Sequence, residues 1–145
     1  MASRLVEVLA QFQAPRDQGQ LQILDRAIES VRAEECAEPE FRALLGVFER
    51  FPDEDGFGVF WSIVHCLEAC NGYESSLLES VRTAPVEFNV LMVNRLLNGG
   101  VTQVAGESLL GVLAAVASNE SAAAGVRKSA SDFIEYQRKH GIVEA

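Results

Sequence analysis

Asp53-Glu54-Asp55 is the only run of three consecutive acids in the chain, and Gly56 follows it directly. The first chemistry this pattern suggests is calcium binding. An EF-hand loop needs carboxylates at its first, third and fifth positions, glycine at the sixth and glutamate at the twelfth. With Gly56 in the sixth position, the first falls on Phe51 and the twelfth on Ser62, and neither side chain is a carboxylate. The calcium frame fails. Two readings remain for the acids: Asp53 or Asp55 caps the helix that follows, or the turn is an acidic tip that recognises a cationic partner.

His65, Cys66, Glu68 and Cys70 lie within six residues and suggest a metal or a thiol nucleophile. Cys66 and Cys70, four apart, can share one face of a helix. Zinc, however, takes four ligands and usually a second paired cluster, and the only other histidine is His140. Cys–His catalysis fits poorly as well. Neighbouring residues on a helix point about 100° apart, so His65 is badly placed as a base for Cys66. The expectation is that Cys66 and Cys70 pack as ordinary core residues, with His65 and Glu68 as a structural pair. No nucleophile elbow, phosphate-binding loop or dinucleotide-binding glycine pattern is present, so no catalytic residue, metal or cofactor is assigned.

Glu87, Asn94 and Asn98 form a narrow polar row on an otherwise apolar helix. Asparagine is a poor interior helix residue, so Asn94 needs hydrogen-bonding support. A neighbouring helix would supply it, or a partner protein on a concave surface. Trp61 and Tyr73 are rare aromatics around the acidic turn. Trp61, between Phe60 and Val64, reads as core, and Tyr73, just after Asn71-Gly72, reads as surface.

Helices must position these groups, because apolar residues recur at helical spacing nearly throughout and no run alternates with period two. The spacing predicts helices over about 3–13, 18–33, 38–51, 55–71, 73–83, 85–98, 101–117 and 120–139. Pro15, Pro39, Pro52 and Pro85 stand at helix boundaries, and Gly99-Gly100 and Gly141 act as stops. The fourth helix should bury Phe57, Phe60, Trp61, Val64 and Leu67, and the sixth Phe88, Leu91, Met92 and Leu96. Gly106 and Gly111 would let the seventh cross a neighbour closely. The fold class expected is all-α: about eight helices in antiparallel pairs over 1–145 as a single domain, built as a HEAT-like α-solenoid or an irregular helical bundle.

Charge narrows the partners. The 145 residues are 48% hydrophobic, which is globular composition, and carry a net charge of −9. Residues 1–56 hold twelve acids and six bases, two-thirds of that excess. An acidic surface does not suit nucleic acid or an anionic membrane, both of which need basic side chains to replace counterions. No charge-free run reaches the ~20 residues of a membrane span. The start of the chain lacks the pattern of a secretion signal, so a cytoplasmic location is expected.

Across 49–99, Glu49-Arg50-Phe51, Asp55-Gly56, Trp61-Ser62-Ile63-Val64-His65-Cys66-Leu67-Glu68, Gly72-Tyr73-Glu74 and Asn94-Arg95-Leu96-Leu97-Asn98 together resemble the small helical immunity proteins of bacterial polymorphic toxin systems, of the Rhs, contact-dependent inhibition and type VI kinds. The resemblance covers about a third of the chain. It implies a cytoplasmic non-enzyme that binds one cognate toxin domain and occludes its active site. A toxin acting on nucleic acid or nucleotides presents basic surface, to which an acidic inhibitor is complementary. The expected contact residues are Asp53, Glu54, Asp55, Tyr73 and Glu74, with Glu87, Asn94 and Asn98 as a second patch. The competing readings are a HEAT-like scaffold or adaptor for another bacterial protein and, third, a metal-dependent or thiol enzyme.

Overall fold

In the computed structural model, which describes residues 3–140, the chain is all-α apart from one two-stranded hairpin. It divides into two compact units, Met1–Ser76 and Leu77–Ala145. Among the described residues no helix is long and apolar enough to cross a membrane.

The first unit holds α1 (Arg4–Gln11), α2 (Gln18–Glu29), α3 (Glu38–Arg50) and α4 (Val59–Ala69). Polar side chains fix where the first three begin. Ser3 Oγ accepts from the Val6 amide at 3.2 Å and donates to Glu40 at 3.0 Å, joining the starts of α1 and α3. Asp17 accepts from the Gly19 amide to open α2, the ordinary N-cap use of aspartate. Pro39 stands in the first turn of α3, where Glu40 accepts from the Ala37 amide at 2.9 Å. α1 packs on α2 and α3 on α4, while α1 also meets α3 and α2 meets α4, so the unit is two helix pairs stacked together.

Leu5, Leu9 and Phe12, Leu21, Leu24 and Ile28, Phe41, Leu44, Leu45 and Phe48, and Phe60, Ile63, Val64 and Leu67 fill the space between them. Phe12 meets Phe51 and Phe60 edge-on, at ring-centroid distances of 5.6 and 6.4 Å, the geometry that aromatic quadrupoles favour. Arg50 reaches from the end of α3 to donate to the carbonyls of Leu9 and Phe12 at 2.8 and 2.9 Å. It adds a charged donor to the carbonyls at the end of α1, hydrogen bonds of about 1.5–3 kcal/mol each.

The second unit contains most of α5 (Glu74–Thr83), then α6 (Glu87–Asn98), the strands β1 (Gln103–Val104) and β2 (Glu107–Ser108), α7 (Leu109–Ala117) and α8 (Ala124–Lys139). α8 packs on both α6 and α7. The seventh helix does not start at 101 as the apolar spacing predicts. Ala105 and Gly106 both take positive φ, 52° and 80°, which closes a two-residue hairpin turn and pairs Val104 with Glu107. Ser108 then caps α7 through the Gly111 amide. Gly106 is therefore a turn residue and not part of a helix crossing. Gly141, expected to stop the last helix, lies outside the described residues.

The buried face of α6 is also rotated from the expected one. Val90, Met92, Val93 and Leu97 are buried with Asn89 and Asn94, whereas Phe88, Leu91 and Leu96 are half-buried. Polar partners account for the difference. Asn89 accepts from the Val86 amide at 2.9 Å and donates to Ser80 and to the Ala84 carbonyl, so its side chain enters the core with all its bonds made.

Among the described glycines, Gly56 is the most closely approached: φ is +59°, and an added Cβ would stand 2.9 Å from the Phe60 ring and 3.0 Å from Leu21. Gly56→Ala should therefore combine a disfavoured backbone conformation with overpacking and lower the unfolding free energy by about 2 kcal/mol. Urea unfolding measures this as a lower midpoint.

Candidate functional site

The turn from Asp53 to Gly58 is built on three consecutive left-handed residues: Gly56, Phe57 at φ 51° and Gly58 at φ 93°. Asp55 accepts from the Phe57 amide at 3.0 Å, so it caps the short 3-10 turn 56–58 that leads into α4. Asp53 and Asp55 remain exposed. Glu54 is half-buried and meets Arg16 Nε through both carboxylate oxygens, at 2.9 and 3.2 Å. Arg16 is largely exposed, so this pair orients the turn without adding more than about 1 kcal/mol.

Phe57 departs most from expectation. It should have joined the buried face of the fourth helix, yet it is 70% exposed. The left-handed backbone at 56–58 breaks the helical spacing on which that expectation rests and turns the ring outward. A non-glycine residue held at φ 51° costs about 1–3 kcal/mol. Trp61, also expected in the core, stands on the surface-facing side of α4 at 37% exposure, with the exposed His65 ring tilted against it at 6.2 Å. The α4 core is made by Phe60, Ile63, Val64 and Leu67 alone. Tyr73 errs the other way: expected on the surface, it is only 6% exposed. Glu74, the first residue of α5, is half-buried, with Oε1 enclosed and without a hydrogen-bond partner among the described residues.

The polar row on α6 resolves internally. Gln137 of α8, itself buried, donates from Nε2 to Asn94 Oδ1 at 2.8 Å and to Asn98 Oδ1 at 2.7 Å. Glu87 is exposed and accepts from Ser129 Oγ at 3.0 Å. These three residues tie α6 to α8, which is the first of the two roles the sequence leaves open for Asn94. The missed signal was Gln137, an amide on the apolar stripe of Val126, Ala130 and Phe133. A groove of about 380 Å³ in the same unit is lined by Val81, Gly111, Val112 and Val116, with an Arg82–Glu107 ion pair at its edge. Of its polar lining, Glu107 is held in that ion pair and Ser108 is engaged as the cap of α7.

A second constellation belongs to the first unit. Cys36 follows a short 3-10 turn, 33–35, between α2 and α3; Cys66 lies in the last turn of α4, and Cys70 caps its end. Their sulfur atoms all lie within 4.8 Å of one another. This is the one convergent group of three or more metal-ligating side chains among the described residues. The expectation of core-packing thiols at Cys66 and Cys70 missed Cys36, which the linker from α2 to α3 carries to the other two in the folded chain. A groove of about 300 Å³, lined by Ile28, Val31, Ser62, His65 and Ala69, opens over Cys66 and Cys70. Burial, then the charge and hydrogen bond of Cys70, push the Cys66 thiol from 9.0 up to about 11. Burial first, then its hydrogen bond with Cys70, pushes Cys36 up as well. A nucleophilic cysteine needs the opposite shift.

No protein-family model, curated protein or solved structure matches the chain.

A thiol whose pKa is raised on folding stabilises the fold fully below its unfolded value and loses that contribution as pH climbs through the folded value. The unfolding free energy should therefore fall between about pH 9 and pH 11, the interval over which Cys66 shifts. Cys66→Ser should flatten the slope in that window, measured by urea unfolding at a series of pH values in reducing buffer.

Proposed function

We propose that this chain is an immunity protein, which binds the toxic domain of one cognate secreted bacterial toxin in the cytoplasm and blocks its active site or substrate surface by occlusion. It would act without chemistry or cofactor of its own, and its docking surface would be the acidic turn ahead of α4 with the aromatic side chains beside it.

One observation carries this reading: Phe57 is held in a left-handed conformation while its ring stays exposed, flanked by the exposed acids Asp53 and Asp55. A strained residue usually repays its cost through packing, and this ring has little packing within the chain. A partner that buries it would supply the missing gain. Trp61 and His65 extend the aromatic surface along α4. The surrounding charge fits a basic partner. Met1–Ser76 contains fourteen acidic and six basic side chains, net −8 of the total −9, and leaves the second unit nearly neutral. Charge of one sign concentrated around an aromatic anchor accelerates encounter and fixes orientation, while the anchor lowers the dissociation rate. Within this surface Asp53, Asp55 and Phe57 are the contacts expected first. Glu54 orients the turn through Arg16, and Tyr73 is too deeply buried to contribute.

The test uses a toxin domain encoded beside the gene, with protection of cells expressing that domain and affinity in solution as readouts. Phe57→Gly relieves the backbone strain, so it should leave the urea midpoint unchanged or raised while weakening toxin binding by at least ~30-fold, the scale of a hot-spot residue. Reversing Asp53 and Asp55 to Lys should slow association and reduce its salt dependence without unfolding the chain. Unchanged affinity in both variants would remove this surface from the reading. Failure of the chain to bind or protect against the neighbouring toxin would overturn the immunity function itself, in favour of an adaptor for another bacterial protein.

A further inference from the structure

The geometry points to a thiolate metal site at Cys36, Cys66 and Cys70 that takes a single thiophilic d10 cation, Cu(I) or Zn(II). The site is distinct from the docking turn, although His65, at the end of the aromatic surface, also lines its groove, and it does not depend on the proposed immunity function.

Three properties of the cluster lead there. The first is convergence. Three sulfurs within 4.8 Å of one another are close to the arrangement around one ion, because a tetrahedral ion about 2.3 Å from each sulfur sets the sulfurs about 3.8 Å apart. A contraction of at most about 1 Å closes the site. The second is support. Cys66 and Cys70 are one turn apart at the end of α4, a rigid pair, and Cys36 comes from the linker beside a short turn, where the backbone can adjust. The third is surroundings. Ile28, Val31, Ala33 and Ala69 line the groove over the cluster together with Glu29, Ser62 and His65, so the thiols are reachable from solvent through a partly apolar opening. Three soft sulfur ligands select soft ions and disfavour magnesium or calcium, which require oxygen.

On binding, each thiol gives its proton to the solvent while its sulfur lone pair forms a bond to the cation. Three S–H bonds break, three S–metal bonds form, and no oxidation state changes. Cu(I) is satisfied by three thiolates in a trigonal plane. Zn(II) needs a fourth ligand, which water in the groove supplies. The protons must be displaced, so the affinity rises with pH.

The full chain, reduced and desalted without oxygen, is titrated with Cu(I) and separately with Zn(II) against chromophoric chelators, and with Co(II) as a spectroscopic probe. The expected result is about one equivalent of Cu(I) or Zn(II) per chain, and with Co(II) a near-ultraviolet sulfur-to-metal charge-transfer band. Which of the two ions outcompetes its chelator identifies the cation. Cys36→Ser is the deciding variant, because a merely local Cys66–Cys70 pair would not need Cys36. It should weaken binding by more than ~100-fold, beyond what loss of a supporting contact costs. In case that variant folds poorly, a second readout uses the unaltered chain: bound metal should protect all three thiols from a disulfide-exchange reagent. The site is overturned if the reduced chain binds neither cation beyond a cysteine-free control, if Cys36→Ser retains full affinity, or if metal leaves Cys36 as reactive as before. It is equally overturned if the reduced chain ignores metal but loses two thiols in air, which would make the cluster a disulfide pair with a bystander.

Discussion

The contact of Gly56 with Phe60 and Leu21 governs the rest of the first unit, because it sets the rotation of α4 about its own axis. Only a residue without a Cβ fits there at φ +59°. Once Gly56 is seated, Phe60 must point into the aromatic cluster with Phe12 and Phe48, and Ile63, Val64 and Leu67 follow it into the core at helical spacing. The same rotation leaves Trp61 and His65 on the opposite side and aims Cys66 and Cys70 towards the linker that carries Cys36. One close approach thus divides α4 into three faces: an apolar core face, an aromatic outer face and a thiol face, the last two meeting at His65. Both functional inferences descend from that division.

Local spacing was enough to read much of this fold. Seven of the eight helices lie close to their expected positions. Spacing failed where backbone conformation departed from the helix it presumes. Phe57 and Ala105 sit at positive φ, and neither residue type signals it. The first misassigned an exposed ring to the core, and the second hid a hairpin within an apolar run. Buried amides misled it differently: Asn89, Asn94 and Gln137 occupy core positions because each finds its partners there, so a stripe counted on apolar residues alone comes out rotated.

The candidate sites divide along the same line. The acidic turn was legible, since three adjacent acids before a glycine stand out in any composition, although the cap made by Asp55 and the ion pair of Glu54 leave fewer free acids than the sequence suggests. The thiol cluster was not legible. Cys36 is thirty residues from Cys66, and no spacing rule links them; tertiary packing alone brings their sulfurs together. Two chemically different surfaces therefore share one helix. A protein that binds a toxin through the aromatic face and a metal through the thiol face would have its docking surface and its metal site joined by α4.

Trp61 is the single tryptophan of the chain and sits on the face proposed for docking, so its fluorescence tests the central claim most directly. Acrylamide, a neutral quencher, should reach Trp61 readily in the free protein, and binding of the cognate toxin domain should shield it. Quenching that is equally efficient in the free and toxin-bound protein would contradict docking through this face.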